Sequence, residues 1–298
     1  MVDILMATYN GDNYIENQIL SIISQTQKDW RLLIHDDGST DHTHSIIKKY
    51  EVFDQRIKLI NDAVQFKSAA ANFMHLLTYA HSEFIVFCDQ DDVWFESKLE
   101  ILIREISAEN GPCAVYCNAY LYDGKIITAD KVTLFNRDSL KNSLFLNSGV
   151  QGSSLMFNRS LLRLIQDFPA YIVMHDHLIT MAAVTFGKLK NVDFSLMLYR
   201  QHTANVTGHI EASFFKRVKM FLFGRRPVVD TKHYEANISF YQTYKERMQN
   251  DQIKLFEAYR KFPKVGLWGR LKIIINNDFN IGGNRLVLLL KVLIRKPI

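Results

Sequence analysis

The sequence predicts an α/β protein built on a mostly parallel sheet with helices on both faces. Two observations carry this. Short apolar runs alternate with segments of helical period through the first hundred residues. Three of the runs also end in polar, turn-forming clusters, and in open α/β sheets ligands bind at the carboxyl ends of the strands.

The elements follow in order. "VDILMAT" (2–8) reads as the first strand and ends at the turn "YNGDN". Ile15, Ile19, Ile22 and Ile23 recur at helical spacing and mark the first helix. "RLLIH" (31–35) is the next strand and ends at "DDGSTD"; Ser39 or Thr40 is the expected cap of the helix running toward Tyr50. "RIKLI" (56–60) is a third, shorter strand. Ala69, Phe73, Leu76, Leu77 and Ala80 share one face of the following helix. "FIVFC" (84–88) is the fourth strand, and Leu99, Leu102, Ile103 and Ile106 mark another helix. After Gly111-Pro112 the pattern changes. "CAVYCNAYLYD" (113–123) reads as a strand leading to a turn at Asp123-Gly124, and "GSSLMFN" (152–158) as a strand before a helix from Arg159 to about Gln166. "HDHLITMAAVTFG" (175–187) reads as a helix closed by Gly187, and "LMLYRQH" (196–202) as a last strand. Basic and aromatic helices are expected from Glu211 onward.

Composition narrows the class. The chain has 298 residues and 48% hydrophobic content, which suits a globular protein. No uninterrupted apolar stretch reaches the roughly 20 residues that span a bilayer, and no signal peptide opens the sequence, so a cytoplasmic protein is expected. Cys88, Cys113 and Cys117 make neither an even disulfide set nor a paired zinc pattern and read as buried thiols. Charge is unevenly placed. Residues 211–298 carry 18 Lys and Arg against 7 Asp and Glu, a net of +11; the whole-chain +5 leaves −6 for residues 1–210. Such a split suggests different partners for the two parts.

The chemistry concentrates at "FCDQDDVW". Bringing Asp89, Asp91 and Asp92 together costs repulsion unless a positive group sits among them. Hard oxygen donors suit Mg²⁺ or Mn²⁺ holding a nucleotide diphosphate. The other reading is an acidic first turn of the next helix. Asp37 before Gly38-Ser39 can accept a hydrogen bond from a pyrimidine N–H, with Thr8 and Tyr9 flanking the base; a plain turn and helix cap is the alternative. Arg200 and His202, two apart on a strand, face the same side. Gly152 after Gln151 leaves room for a sugar beside the backbone. His175-Asp176-His177 does not make a zinc site, since adjacent helical residues diverge.

"ATYNG", "HDDGSTD", "FCDQDDVW" and "MHDH" together resemble glycosyltransferase family 2 in order and spacing over about residues 1–210. The stretch "MHDHLITMAAVTFGKLKNVDFSLMLYRQHTANVTG" is similar to the rhamnosyltransferase-like branch, which builds bacterial surface polysaccharides. The resemblance implies a GT-A fold, a Rossmann-like mostly parallel sheet with flanking helices, and a metal-dependent inverting transfer from a nucleotide sugar. It implies that Thr8, Tyr9 and Asp37 bind the nucleoside, and that Asp91 is a direct metal ligand with Asp89 near the ribose or the metal's waters. Asp92 would orient the turn or touch the donor sugar, with Gln151, Gly152 and Arg200 on the donor side. His202 would contact the metal or diphosphate, and Asp176 would be the catalytic base. The family usually has Glu-Asp where this chain has His175-Asp176. The expected cofactor is Mn²⁺ or Mg²⁺. The expected donor is dTDP-rhamnose, then a UDP-hexose; the acceptor is a glycan or lipid-linked saccharide at the inner face of the cytoplasmic membrane. A non-catalytic nucleotide-binding scaffold is the competing reading. A nucleotidyltransferase would show a Gly-rich basic loop after the first strand, which "ATYNGDN" does not supply.

The implied organisation is a catalytic domain over 1–210, with a nucleotide half to about 110 and an acceptor half from about 111, and a helical C-terminal region over 211–298. In that region "FFKRVKMFLFGRR" (214–226) and "LVLLLKVLIRK" (286–296) mix apolar and basic residues. Such helices lie in an anionic membrane interface, or pack internally, or form a homodimer contact. Nothing resembling a nucleic-acid module accompanies the charge, so nucleic acid is not an expected partner.

Overall fold

The computed structural model describes residues 1–133, 135, 137–202 and 226–298. The segment 214–225, with Lys216, Arg217 and Lys219, therefore lies outside the described residues, as does the expected boundary at 210.

Among the described residues, nine strands form one sheet. In chain order they are β1 (Val2–Thr8), β2 (Trp30–Asp36), β3 (Ile57–Leu59), β4 (Phe84–Asp89), β5 (Val93–Trp94), β6 (Cys113–Tyr122), β7 (Ile127–Ala129), β8 (Leu155–Asn158) and β9 (Lys188–Arg200). The spatial order is β3-β2-β1-β4-β8-β6-β9-β5, with β7 on β6. The first four run parallel, and β6 pairs β9 in parallel; β8 runs antiparallel between β4 and β6. The first four strands are thus parallel as their β-α-β pattern predicts, and the sheet as a whole is mixed.

Helices α1 (Ile15–Ile23), α2 (Thr43–Phe53) and α4 (Lys98–Ser107) belong to one face; α3 (Ala69–Leu77) and α7 (His175–Phe186) cover the other. Short helices α5 (Leu140–Ser143) and α6 (Arg159–Arg163) precede α7, and α8 (Thr231–Tyr244), α9 (Asn250–Lys261), α10 (Leu267–Asn276) and α11 (Arg285–Ile294) follow β9. Alternate residues of the parallel strands serve the two cores. Ile4, Met6, Val86 and Cys88 face α1 and α4, while Leu5, Ile85 and Phe87 face α3 and α7. Each such fully buried side chain contributes roughly 1.5–3 kcal/mol relative to exposure. The C-terminal helices join the second core: Phe145 packs its ring against Tyr259, Phe262 and Phe279. Buried Asp3 is satisfied by Arg31, by Ser82 through N–H and hydroxyl, and by the His81 N–H. All three cysteines are buried and free. Among the described residues, no helix is long and apolar enough to cross a membrane.

The structure corrects several boundaries. Helix α2 starts at Thr43, later than Ser39 or Thr40 would cap it, because the Asp36 carboxylate takes the Ser39 N–H and hydroxyl and holds that residue in the preceding turn. Residues 152–154 form a 3₁₀ turn rather than strand, since the Ser154 N–H and hydroxyl both donate to the Gln151 carbonyl. The last strand begins at Lys188, well before residue 196, and ends at Arg200. Gly187 does close α7, in an extended conformation; a Cβ there would meet the Pro112 carbonyl oxygen at 2.1 Å, so packing and not a left-handed turn requires glycine.

Candidate active site

The site lies where β1, β2 and β4 end, because parallel strands in register deliver their final residues to one sheet edge. Thr8 pairs with Asp36, and Ala7 pairs with both His35 and Asp89. After Asp89 the chain turns through Gln90, Asp91 and Asp92 into β5, which pairs with β9. That pairing brings the end of β9, 108 to 111 residues away in sequence, back onto the acidic turn.

Three residues, Arg200, His202 and Ser153, lock the arrangement. The backbone N–H of Arg200 donates to Asp92 Oδ1 at 3.2 Å, and its Nε donates to the Asp91 carbonyl at 2.9 Å. His202 Nε2 lies 2.7 Å from Asp91 Oδ2, and its ring stacks on Tyr14 at 4.7 Å between centroids. The Ser153 hydroxyl donates to Asp92 Oδ2 at 2.6 Å, tying the 151–154 turn to the acidic turn. Asp92 is fully buried, so its carboxylate anchors the turn.

On the other side of that turn stands Asp176, in the first turn of α7. A Cβ on Gly152 would meet His175 Nε2 at 2.7 Å and Asp176 Cβ at 3.5 Å, so the space that glycine leaves open is filled by the His175 ring. His175 and His177 flank Asp176 and point into the core. His175 packs on Phe73 and Phe87, and His177 meets His233 edge-on. Burial pulls both imidazoles down to about 3, so they are neutral.

The electrostatics are those of crowded acids. Burial, then the charges of Asp91 and Asp176, push Asp89 up to about 7. Burial, then Asp91 and Asp89, raise Asp92 as well. Burial pushes Asp176 up to about 6, against the His177 N–H and the charge of Arg137. A divalent cation suits these donors: Asp91 Oδ2 and His202 Nε2 lie side by side, Asp89 is near enough to feel the charge of Asp91, and the acids repel one another without a cation. Asp91, His202 and Asp89 are the residues that would hold it. The Gln151 side-chain Nε2 is buried with no protein partner beside the same turn, a donor left for a ligand.

The residues expected at the nucleoside, Thr8, Tyr9 and Asp37, sit one to two strands away. Thr8 is buried and donates to Asp36 Oδ1 at 2.8 Å. Tyr9 is 56% exposed, and its backbone exchanges two hydrogen bonds with the Gln90 side chain, joining the ends of β1 and β4. Both Asp37 oxygens accept backbone N–H groups, from Phe66 and Ser68, so the carboxylate braces the 66–68 loop and keeps further lone pairs for a ligand.

Sequence reading missed Lys98, Ser153, Gln90, Tyr14 and Arg137. Lys98 is fully buried; its Nζ donates to the Ser153 carbonyl at 2.6 Å and sits 3.5 Å over the Trp94 ring. Burial lowers it to about 8, and it supplies a positive charge beneath Asp92 and Asp89. A Lys one turn before Leu102, at a core position of α4, was the available signal. Arg137 binds the Ser148 and Gly149 carbonyls and supports the loop behind Asp176.

Comparison with known proteins agrees with this geometry. Residues 3–166, more than half of the chain, match the family described as Glycosyl transferase family 2. A UDP-Glc:alpha-D-GlcNAc-diphosphoundecaprenol beta-1,3-glucosyltransferase (WfgD) of Escherichia coli is 34% identical over 167 residues, covering 54% of this chain and 62% of that protein. The dTDP-rhamnosyl transferase RfbG of Shigella flexneri is 28% identical over 224 residues, covering 68% of this chain and 73% of that protein. Among solved structures, the mannosyltransferase PcManGT of Pyrobaculum calidifontis, in complex with GDP-Man and Mn²⁺, superposes with a TM-score of 0.56 at 15% identity, over 92% of this chain and 73% of that one. That likeness establishes the fold, a GT-A sheet with flanking helices.

Proposed function

The chain belongs to glycosyl transferase family 2, and from that premise we propose that it moves a sugar from a nucleotide diphosphate to a saccharide acceptor, with inversion, in bacterial surface-polysaccharide synthesis. The convergence of Asp91, His202, Asp89 and Asp176 on one end of the sheet carries this reading. Asp176 takes the proton of the acceptor hydroxyl as the new C–O bond forms. A carboxyl held up to about 6 is ionised at neutral pH and is a stronger base than an ordinary aspartate. Asp91 and His202, with Asp89, face the diphosphate side, and a divalent ion bound there supplies charge neutralisation for the leaving group. Asp92, Ser153 and Lys98 fix the turn that presents these groups. Thr8, Tyr9 and Asp37 are assigned to the nucleoside, and Gln151 and Arg200 to the donor side; Gly152 instead makes room for the His175 ring.

We assign dTDP-rhamnose as the first candidate donor and UDP-hexose as the second, supported by the activities in the names of RfbG and WfgD. The same name of WfgD supports a lipid-linked acceptor. A membrane-facing surface is consistent with it. Leu286, Leu290 and Leu293 repeat along the exposed side of α11, and Trp268 and Ile275 are exposed on α10, which packs against α11. On this assignment residues 1–210 are the catalytic domain and the later helices its acceptor and membrane platform.

The test is nucleotide release from dTDP-rhamnose, UDP-glucose and UDP-galactose, with and without Mn²⁺ and a lipid-linked saccharide. Acceptor-stimulated release from one donor is expected. No release from any donor would leave a nucleotide-binding scaffold.

A further inference from the structure

His35 ends the apolar run of β2, Asp62 lies in the loop after β3, and His75 is in α3. Folding brings one ring nitrogen of His35, one of His75 and a carboxylate oxygen of Asp62 within 4.8 Å of one another. This cluster shares the sheet face of Asp89 but stands two strands over, since Ala7 separates His35 from Asp89 in register.

The hydrogen bonds around it leave a place for a cation. Asn72 Nδ2 donates to the His35 carbonyl at 3.3 Å, which fixes the amide's orientation. Its Oδ1 then faces His35 Nδ1 at 2.8 Å, so the proton of a neutral His35 belongs on Nδ1. The Nε2 lone pair is left facing Asp62 Oδ1 at 3.2 Å. Two lone pairs in that position repel unless a proton or a metal lies between them. His75 Nε2 approaches the other oxygen of the same carboxylate at 2.5 Å, and the Tyr79 hydroxyl donates to that oxygen at 3.0 Å. A carboxylate met by two imidazoles, one of which is oriented by an amide oxygen on its far nitrogen, is the arrangement of a metal-binding histidine with its outer partner.

We propose that His35, Asp62 and His75 form a second metal site, distinct from the acidic turn, that takes a divalent transition ion of the zinc class. Two imidazoles and one carboxylate suit zinc and not magnesium. Water completes the coordination, because the His75 and Asp62 side chains are 20% and 23% exposed. The ion ties β2, the 61–68 loop and α3 together. That loop supplies the Phe66 and Ser68 N–H groups to Asp37, so the clamp sets the shape of the adjoining edge of the candidate nucleotide pocket.

The test uses the full chain carrying Asp91→Ala, which disables the acidic-turn site and isolates this one. After chelator treatment, zinc loading and exhaustive dialysis, zinc content is measured by mass spectrometry. About one zinc per chain is expected, falling to background with His75→Ala or Asp62→Asn added. Asn72→Ala should weaken zinc on the order of 10–100-fold, the usual effect of removing an outer partner. Equal zinc retention in a folded His75→Ala chain would overturn the proposal. Should that variant fail to fold, Co²⁺ in the parent decides. Intense visible bands of a four-coordinate nitrogen and oxygen site support the clamp, and a pale octahedral spectrum rejects it.

Discussion

His202 Nε2 lies 2.7 Å from Asp91 Oδ2, although 111 residues separate the two in sequence. The contact exists because β5 pairs with β9 and Arg200 binds the acidic turn through both its backbone N–H and its side chain. An imidazole nitrogen and a carboxylate oxygen at that separation share a hydrogen bond, and the same pair can serve as two neighbours in one coordination shell.

The first prediction follows from that pair. Asp91→Ala should abolish the Mn²⁺-dependent part of nucleotide binding, and His202→Ala should weaken it while leaving it measurable. Calorimetry with dTDP and UDP, with and without Mn²⁺, checks both. Unchanged affinity in Asp91→Ala would remove the metal assignment.

Asp176→Asn should retain donor binding and lose transfer. The amide keeps the shape but cannot accept the acceptor's proton, so turnover should fall by on the order of 10²–10⁴-fold. In the unmodified chain the rate should rise with pH through about 6, as the Asp176 carboxyl ionises. Turnover that is flat from pH 5 to pH 8 would place the base elsewhere.

The acidic turn should also be visible in stability without metal. The folded-state pKa of Asp89 is raised from 3.8 to about 7, so its contribution is fully present below about pH 4 and is lost as pH rises through 7. Asp89→Asn cannot ionise and escapes that loss. Thermal melts in chelator should show the variant gaining on the parent between pH 5 and pH 8. An offset of equal size at both pH values would mean that charge is not the cause.

The ends of β1, β2 and β4 were readable because each apolar run stops abruptly at polar, turn-forming residues, and three such stops in a parallel sheet share an edge. Asp37, Asp89 and Asp91 could therefore be picked out one motif at a time. Lys98 offered only its core position on an amphipathic helix as a signal, and the partner that explains it, Ser153, is 55 residues away. The start of β9 was missed for a related reason. Lys188 and Lys190 form ion pairs with Glu105 and Glu109 at the sheet margin, which masks the strand's alternation. The His35–Asp62–His75 cluster carries no local signature at all, since its members come from a strand, a loop and a helix.

The last prediction concerns α10 and α11. Leu286, Leu290 and Leu293 are 62%, 43% and 54% exposed and lie at i, i+4 and i+7, so they form one stripe. Leu288 and Val292, on the opposite side of α11, are buried in the core. The helix is thus held from below and presents a second apolar face, with exposed Lys272 and Lys296 on the same hairpin. If this face rests on a membrane, each leucine there gains roughly 1 kcal/mol, about half the value for full burial. Changing all three to Gln should then cost ~3 kcal/mol, on the order of a hundredfold in vesicle partitioning. Stability should barely move, because substitutions at exposed positions usually change it by about 0.5 kcal/mol or less. High salt should release the parent protein partly, since the Debye length shrinks to about 3 Å at 1 M while the apolar contribution remains. Co-sedimentation with anionic vesicles, beside a thermal melt and size-exclusion chromatography, measures all of this. Parent protein that stays in the supernatant and runs as a dimer, with the triple variant running as a monomer, would make the stripe a subunit contact and end the membrane reading.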